Sequence, residues 1–370
     1  MTKTWFKSST SRAAFAAMGL MLLGGPAMSA GDDSAPEGRK IAYVLTETRW
    51  ALYQTKDAKE ECPTGVNDLG PREQFKLQFP AEGGKRTIVD TQLAREVDTW
   101  WPKMEKGQFP FHEAAGTVAL GLDLDGKVKP TDFKSPEGKP GIDNQMFRVL
   151  GCIVNFRDGS SVQNFEDIYH KKMMINRMMI VITDVDSLTN DDDVTVTTYR
   201  GLDPMVADAA GQDFFPGGTE RLDLRWGKEF IHSAKAKIVN GVLISKEGLD
   251  YYLPHEVAYM SAAYYWLRDA KFELNLTPGH ANGLIGGYAD INHFYRSRNR
   301  EWSTHHLSYG QESMAYEYRA LKKNADAYPD PQTGENTAIS AAFRVKMAQV
   351  RIIPEIPPNV KVAANKSSNE

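Results

Sequence analysis

The stretch Lys-Ile-Val-Asn240-Gly241-Val-Leu-Ile, inside Lys235 to Lys246, does most to limit what this chain can fold into. Two apolar runs flank an Asn-Gly pair. That dipeptide accepts the positive φ values of a type I′ turn, whose twist matches that of paired strands, so the stretch predicts an antiparallel hairpin. The same texture recurs. Ile41 to Tyr53 has strand composition, Arg177 to Val185 is β-branched and Met-rich, and Asp193 to Tyr199 alternates Val194, Val196 and Thr198. Lys271 to Thr277 alternates Phe272, Leu274 and Leu276, turns at Pro278-Gly279 and returns through Gly283 to Tyr288, and Ala341 to Ile353 supplies a late strand. Helical pattern is confined to Gln311 to Lys323, Asp290 to Arg296 and Thr91 to Met104. The expected class is mainly β, α+β overall, with an antiparallel sandwich or jelly roll built from short strands and frequent turns.

The chain divides by texture. Residues 1–30 read as an export signal: Lys3, Lys7 and Arg12 make a basic start, Ala13 to Leu23 is an apolar run, and small residues follow Pro26. That run is shorter than the ~20 residues a spanning helix needs, so no membrane span is expected. Residues 31–40 read as a flexible start and 41–174 as a loop-rich α/β region dense in Gly and Pro. Residues 175–353 form the sandwich-like region, and 354–370, rich in Pro, Asn, Lys and Ser, read as a disordered tail. The expected location is periplasmic or extracellular.

Charge narrows the partners. The formal net charge is −4, and removing a signal with three basic and no acidic residues makes it −7. Nucleic acid requires clustered Lys and Arg, so it is not an expected partner. The two cysteines, Cys62 and Cys152, are expected to form a disulfide in an oxidising compartment. Closing a loop of that length is worth roughly 4–4.7 kcal/mol in the chain-entropy description.

Two acidic stretches are candidate Ca2+ sites. Asp123-Leu-Asp125-Gly126-Lys127-Val128, followed by Asp132, matches positions 3, 5, 6, 8 and 12 of an EF-hand loop, with Gly121 where the first ligand belongs. An Asp-Gly turn explains the same residues without metal. Asp184, Asp186, Asp191, Asp192 and Asp193 crowd a loop between two expected strands and repel one another unless hydrated or bridged. A solvated, strand-ending loop is the alternative. Calcium is the cofactor either stretch would take. The short polar segment Gly141-Ile-Asp143-Asn144-Gln145 fits a cap or a ligand-orienting turn.

Ten of the fifteen tyrosines fall between Tyr251 and Tyr318, together with Trp266 and Trp302. Flat rings with a polar rim suit a sugar, whose CH faces stack on aromatics while its hydroxyls bond to Asp, Asn and Arg. Tyr288, Asp290, Trp266 and Trp302 are the expected ligand residues, against the reading that Tyr and Trp simply pack the core. His170, Met173, Met174, Met178 and Met179 could offer soft ligands to Cu(I), but adjacent Met pairs on a strand face opposite ways and suit packing better. His305-His306 lacks metal-ligand spacing.

No G-x-S-x-G, H-E-x-x-H, phosphate-binding loop or G-x-G-x-x-G is present. Paired carboxylates remain open, with Glu220, Asp223, Glu229, Glu256, Asp269 and Glu273 as candidates of equal standing. The leading expectation is an exported β-rich binding protein for a glycan or other polar ligand, with structural calcium. The alternatives are a secreted glycosidase-like hydrolase and an envelope protein whose partner is another protein.

Overall fold

The computed structural model describes residues 39–67, 111–160, 177–211, 213–254, 264–297 and 314–353, with Gln163 and Lys171 in addition. The expected export signal, the helix expected over Thr91 to Met104, His170, Met173, Met174, His305-His306, Trp302 and the tail expected over 354–370 lie outside them.

The chain is mainly β. Its principal strands are β1 (Lys40–Trp50), β4 (Arg177–Thr183), β5 (Asp191–Gly201), β7 (Ser233–Val239), β8 (Val242–Ser245), β10 (Tyr264–Leu276), β11 (His280–Asp290) and β13 (Asn336–Ile352); between them in sequence come the short β2 (Phe133–Lys134), β3 (Pro140–Ile142), β6 (Gly218–Glu220), β9 (Leu249–Pro254) and β12 (Ala327–Pro329). Each principal strand pairs antiparallel with the next, and β13 pairs back onto β1 through Ala42↔Val350 to Trp50↔Phe343. The result is a closed, eight-stranded up-and-down barrel. The expected sandwich gives way here, because a sandwich needs two sheets and this single sheet closes on itself. Closure removes both sheet edges and satisfies their backbone groups. The long β13 makes it possible by bonding β1 along one edge and β11 along the other.

The Asn-Gly hairpin forms as the sequence requires: β7 and β8 pair up to Val239↔Val242, with φ +50° at Asn240 and +80° at Gly241. Beyond it, β9 (Leu249–Pro254) takes over from β8 along β10. A bulge offsets this junction: the β10 register slips between Leu267 and Ala270, and Asp269 takes φ +49°. Gly248 faces the bulge, where a Cβ would come within 2.6 Å of the Asp269 Cα.

Alternation decides what fills the barrel. Tyr43 and Leu45, Ile180 and Ile182, Val194 and Val196, Leu267 and Phe272, and Phe343 and Val345 all point inward and are buried. The interior is therefore a packed core. Met178 joins it, whereas Met179 belongs to a second apolar cluster outside the barrel with Val44, Val181, Phe214 and Val350. The adjacent methionines thus face opposite ways, and packing accounts for both.

Trp50, at the end of β1, continues the core past the strands. Its ring lies 4.2 Å from Phe343 and 5.3 Å from Tyr265 on the barrel side, and 6.4 Å from Phe156 beyond it. Residues 51–67 and 111–160 build a loop-rich cap around this ring. The cap's short helix α1 (Met146–Leu150) buries every side chain except Arg148, whose guanidinium covers the Phe133 ring at 4.5 Å. The Cys62–Cys152 disulfide staples the cap across 90 residues. Around it, Glu61 and Arg157 pair at 2.5 Å, and the Asn67 side chain bonds the backbone of His112 and Cys152. The expected C-terminal helix forms as α2 (Met314–Lys323), and residues 291–297 are helical. Among the described residues no helix is long and apolar enough to cross a membrane.

Candidate functional site

Two constellations lie on the outside of the barrel, around β9 to β13. The first is aromatic. Because Tyr265, Leu267, Tyr251 and Leu253 point inward, Tyr264, Trp266, Arg268 and Tyr252 must point outward. Tyr252 and Trp266 are direct cross-strand partners, and their rings stack at 6.2 Å with 5° between planes. Tyr264 meets Tyr252 edge-on at 5.2 Å, Phe230 closes one side at 5.1–5.3 Å, and His293 lies 4.9 Å from Tyr264. All five are half-buried.

Polar groups rim the stripe. Trp266 Nε1 donates to Asp250 Oδ1 at 3.3 Å, and Asp290 pairs with Arg268 and accepts the His293 backbone N–H at 2.8 Å. The Arg268 guanidinium lies between two rings, 4.4 Å from Trp266 and 4.7 Å from Tyr328. Tyr328, on β12 (Ala327–Pro329), donates its hydroxyl to Asp269 at the bulge, and burial followed by that bond raises its pKa. Burial, with Asp250 adding, also raises that of Tyr252.

Of the expected ligand residues, Trp266 and Asp290 fall in this arrangement. Tyr288 adjoins it: it faces Arg268 across the β10–β11 pair and meets Tyr328 edge-on at 5.9 Å, but it is nearly buried. Sequence reading missed Tyr252, Tyr264, Arg268 and His293. The first three were legible in the alternation of Tyr264-x-Trp266-x-Arg268 and in Tyr252 between buried neighbours. His293 sits 29 residues from Tyr264, whose carbonyl its ring meets at 2.9 Å, and no local pattern announces that contact.

The second constellation is acidic. Residues 122–124 lie over the outer face of β11 and β13, with Leu122 and Leu124 packed on Tyr288 and Ala338. One carboxylate oxygen from each of Asp123, Asp125 and Asp143 lies within 4.8 Å of the other two. Asp143 follows β3 (Pro140–Ile142) and is 1 % exposed. Its Oδ2 accepts the Leu124 N–H at 2.7 Å. Burial pushes its carboxyl up to about 6, with repulsion from Asp125 and Asp132 adding and the Leu124 N–H opposing. Asp123 accepts the Gly126 N–H and Asp125 the Lys127 N–H, while Lys129 Nζ lies 2.5 Å from Asp125 Oδ2. Burial would raise Asp125, but the Lys129 ammonium and the Lys127 N–H outweigh it and hold the carboxyl below its usual range.

This is not the EF-hand arrangement. Asp132 uses its carboxylate on the Lys129 N–H at 2.6 Å and is not in the triad. Val128, which an EF-hand pair would bury, is 69 % exposed. The third carboxylate comes from Asp143, eighteen residues beyond Asp125 in sequence, a partnership that spacing cannot reveal.

The other acidic loop gathers no such triad among the described residues. Asp191 accepts the N–H groups of Asp186 and Asp193, Arg39 pairs with Asp186 at 2.9 Å, and Lys235 and Lys246 lie 3.1 and 3.6 Å from Asp193. Asp184 is exposed, with φ +64°.

The candidate catalytic carboxylates are scattered. Glu220, on β6 (Gly218–Glu220), is fully buried near Arg177; burial pushes its carboxyl up to about 7 and the Arg177 guanidinium down to about 10. Asp223 caps a short 3-10 turn and pairs with Arg225. Asp269 is held by Tyr328, Glu229 and Glu273 are exposed, and Glu256 lies outside the described residues. No protein-family model, curated protein or solved structure matches the chain.

Proposed function

We propose that this chain is an exported binding protein that takes a glycan on the aromatic stripe outside its barrel. The observation that carries the reading is the outward row of Tyr252, Tyr264 and Trp266 with His293, rimmed by Asp250, Arg268 and Asp290. Rings of this kind offer apolar faces to the CH surface of a pyranose, and the carboxylates and guanidinium reach its hydroxyls. The barrel interior is filled by its own side chains, which favours an outer face over an internal cavity. The disulfide is compatible with an oxidising compartment.

The test is a broad glycan array with the purified protein, followed by titration of any hit. Trp266→Ala and Tyr252→Ala are each expected to weaken binding at least tenfold, about 1.4 kcal/mol. Both variants must retain the near-ultraviolet dichroism of the remaining aromatics. Absence of any glycan hit, together with a stoichiometric protein co-purifying from native cells and lost in Trp266→Ala, would replace this reading with a protein-interaction one.

A further inference from the structure

We propose that Asp123, Asp125 and Asp143 bind a divalent cation of the oxygen-seeking kind, Ca2+ before Mg2+, and that Lys129 is the internal cation that balances them in its absence. The proposal stands independently of the glycan reading. Three carboxylates on a short turn would by themselves be an ordinary polar surface. What sets this group apart is the state of Asp143: one oxygen is committed to the Leu124 N–H, while Oδ1 is buried and has no hydrogen-bond partner among the described residues. A buried acceptor without a donor costs roughly 1–3 kcal/mol, and more when charged, unless something fills its coordination.

The neighbouring groups fit a cation. Asp123 and Asp125 each spend one oxygen on backbone N–H groups, which fixes the carboxylates without consuming both oxygens. The second oxygen of Asp125 holds Lys129. Three carboxylates opposed by one ammonium carry a net −2 when all are ionised, the charge a divalent ion neutralises. The half-buried Lys129 side chain can swing out to solvent when the ion arrives. Ca2+ is favoured over Mg2+ because the donors come from a turn and from a separate segment, a loose set that suits variable oxygen coordination better than a strict octahedron.

Calorimetric titration of the metal-free protein with Ca2+ and then Mg2+, alongside Tb3+ luminescence sensitised by nearby tyrosines, tests this. One Ca2+ per chain is expected, with Mg2+ at least tenfold weaker. Asp143→Asn and Asp123→Asn should each weaken binding at least tenfold, and Lys129→Met, which removes the competing ammonium, should strengthen it severalfold. Asp191→Asn, in the other acidic loop, should leave it unchanged. A gain of affinity in Lys129→Met cannot come from misfolding, so it separates a lost site from a lost fold. No binding at millimolar Ca2+, unchanged affinity in a folded Asp143→Asn, or loss of affinity in Asp191→Asn would each overturn the proposal.

Discussion

The two acidic loops have similar composition and opposite physics. From the end of β4 into the start of β5, five aspartates crowd the surface; Asp191 accepts the N–H groups of Asp186 and Asp193, while Arg39 pairs with Asp186 and Lys235 and Lys246 with Asp193. Over β11 and β13 there are fewer carboxylates, but one of them, Asp143, is buried with an unsatisfied oxygen. In the first loop exposure to water and salt weakens these charges and their pairs, so the cluster has little energetic consequence. In the second the compensation must come from Lys129 or a bound cation. Burial of a single group, not the number of acids, makes the difference.

The strongest test of that contrast is to loosen the segment that delivers Asp123 and Asp143. Replacing both Cys62 and Cys152 with Ser is expected to cost about 4 kcal/mol in denaturant unfolding. Hydrogen exchange should accelerate over residues 111–160 and stay unchanged around the β4–β5 loop, whose flanking strands are held by the barrel ladders. Equal acceleration in both loops would erase the distinction.

Glu220 extends the comparison to a buried acid outside either loop. Its folded-state pKa lies above the ordinary value of 4.5, so the folded state holds the proton more tightly than the unfolded chain. Its stabilising contribution is complete below pH 4.5 and is lost as pH rises to about 7. The loss amounts to roughly 3–4 kcal/mol at most. Denaturant melts of Glu220→Gln at pH 5 and pH 8 should lack this part of the pH slope. An identical slope in both proteins would show that Glu220 is charged throughout.

Asp143→Leu leaves the Leu124 N–H without its acceptor and should cost 1–3 kcal/mol, roughly, in metal-free buffer. Asp186→Asn removes only the exposed pair with Arg39 and should change stability by less than about 0.5 kcal/mol, an effect that vanishes in 1 M salt. If the two substitutions cost the same, burial is not what distinguishes the loops.

These loops also mark how far sequence reading reached. Local signals placed the elements well: Asn240-Gly241 gave its hairpin, the alternations gave β5, β10 and β11, and the short helical patterns gave α2 and the turn after β11. What escaped was every pairing between distant segments. Strand composition at Ile41 to Tyr53 says nothing about its partners, so closure onto β13 could not be read and a sandwich was expected. Asp143 met Asp123 for the same reason: the segment after Pro140 pairs with the backbone around Leu122, and the carboxylate arrives with it. The disulfide was readable because two cysteines allow a single intramolecular pairing. The aromatic stripe lay between these cases, its strand positions legible and its His293 and Tyr328 partners not.

Closure of the barrel by its first and last strands has a kinetic consequence. Thr46 bonds to the carbonyl of Lys346, 300 residues away, so the seam joins parts of the chain that leave the ribosome 300 residues apart. Until β13 emerges, β1 has one neighbour missing and β11 has an open edge, and the loop-closure entropy for that contact is among the largest the chain must overcome. Hairpins can form before β13 is made, but the barrel cannot close until it is. Any holding factor that keeps partly made chains from pairing with one another would act on those two waiting edges.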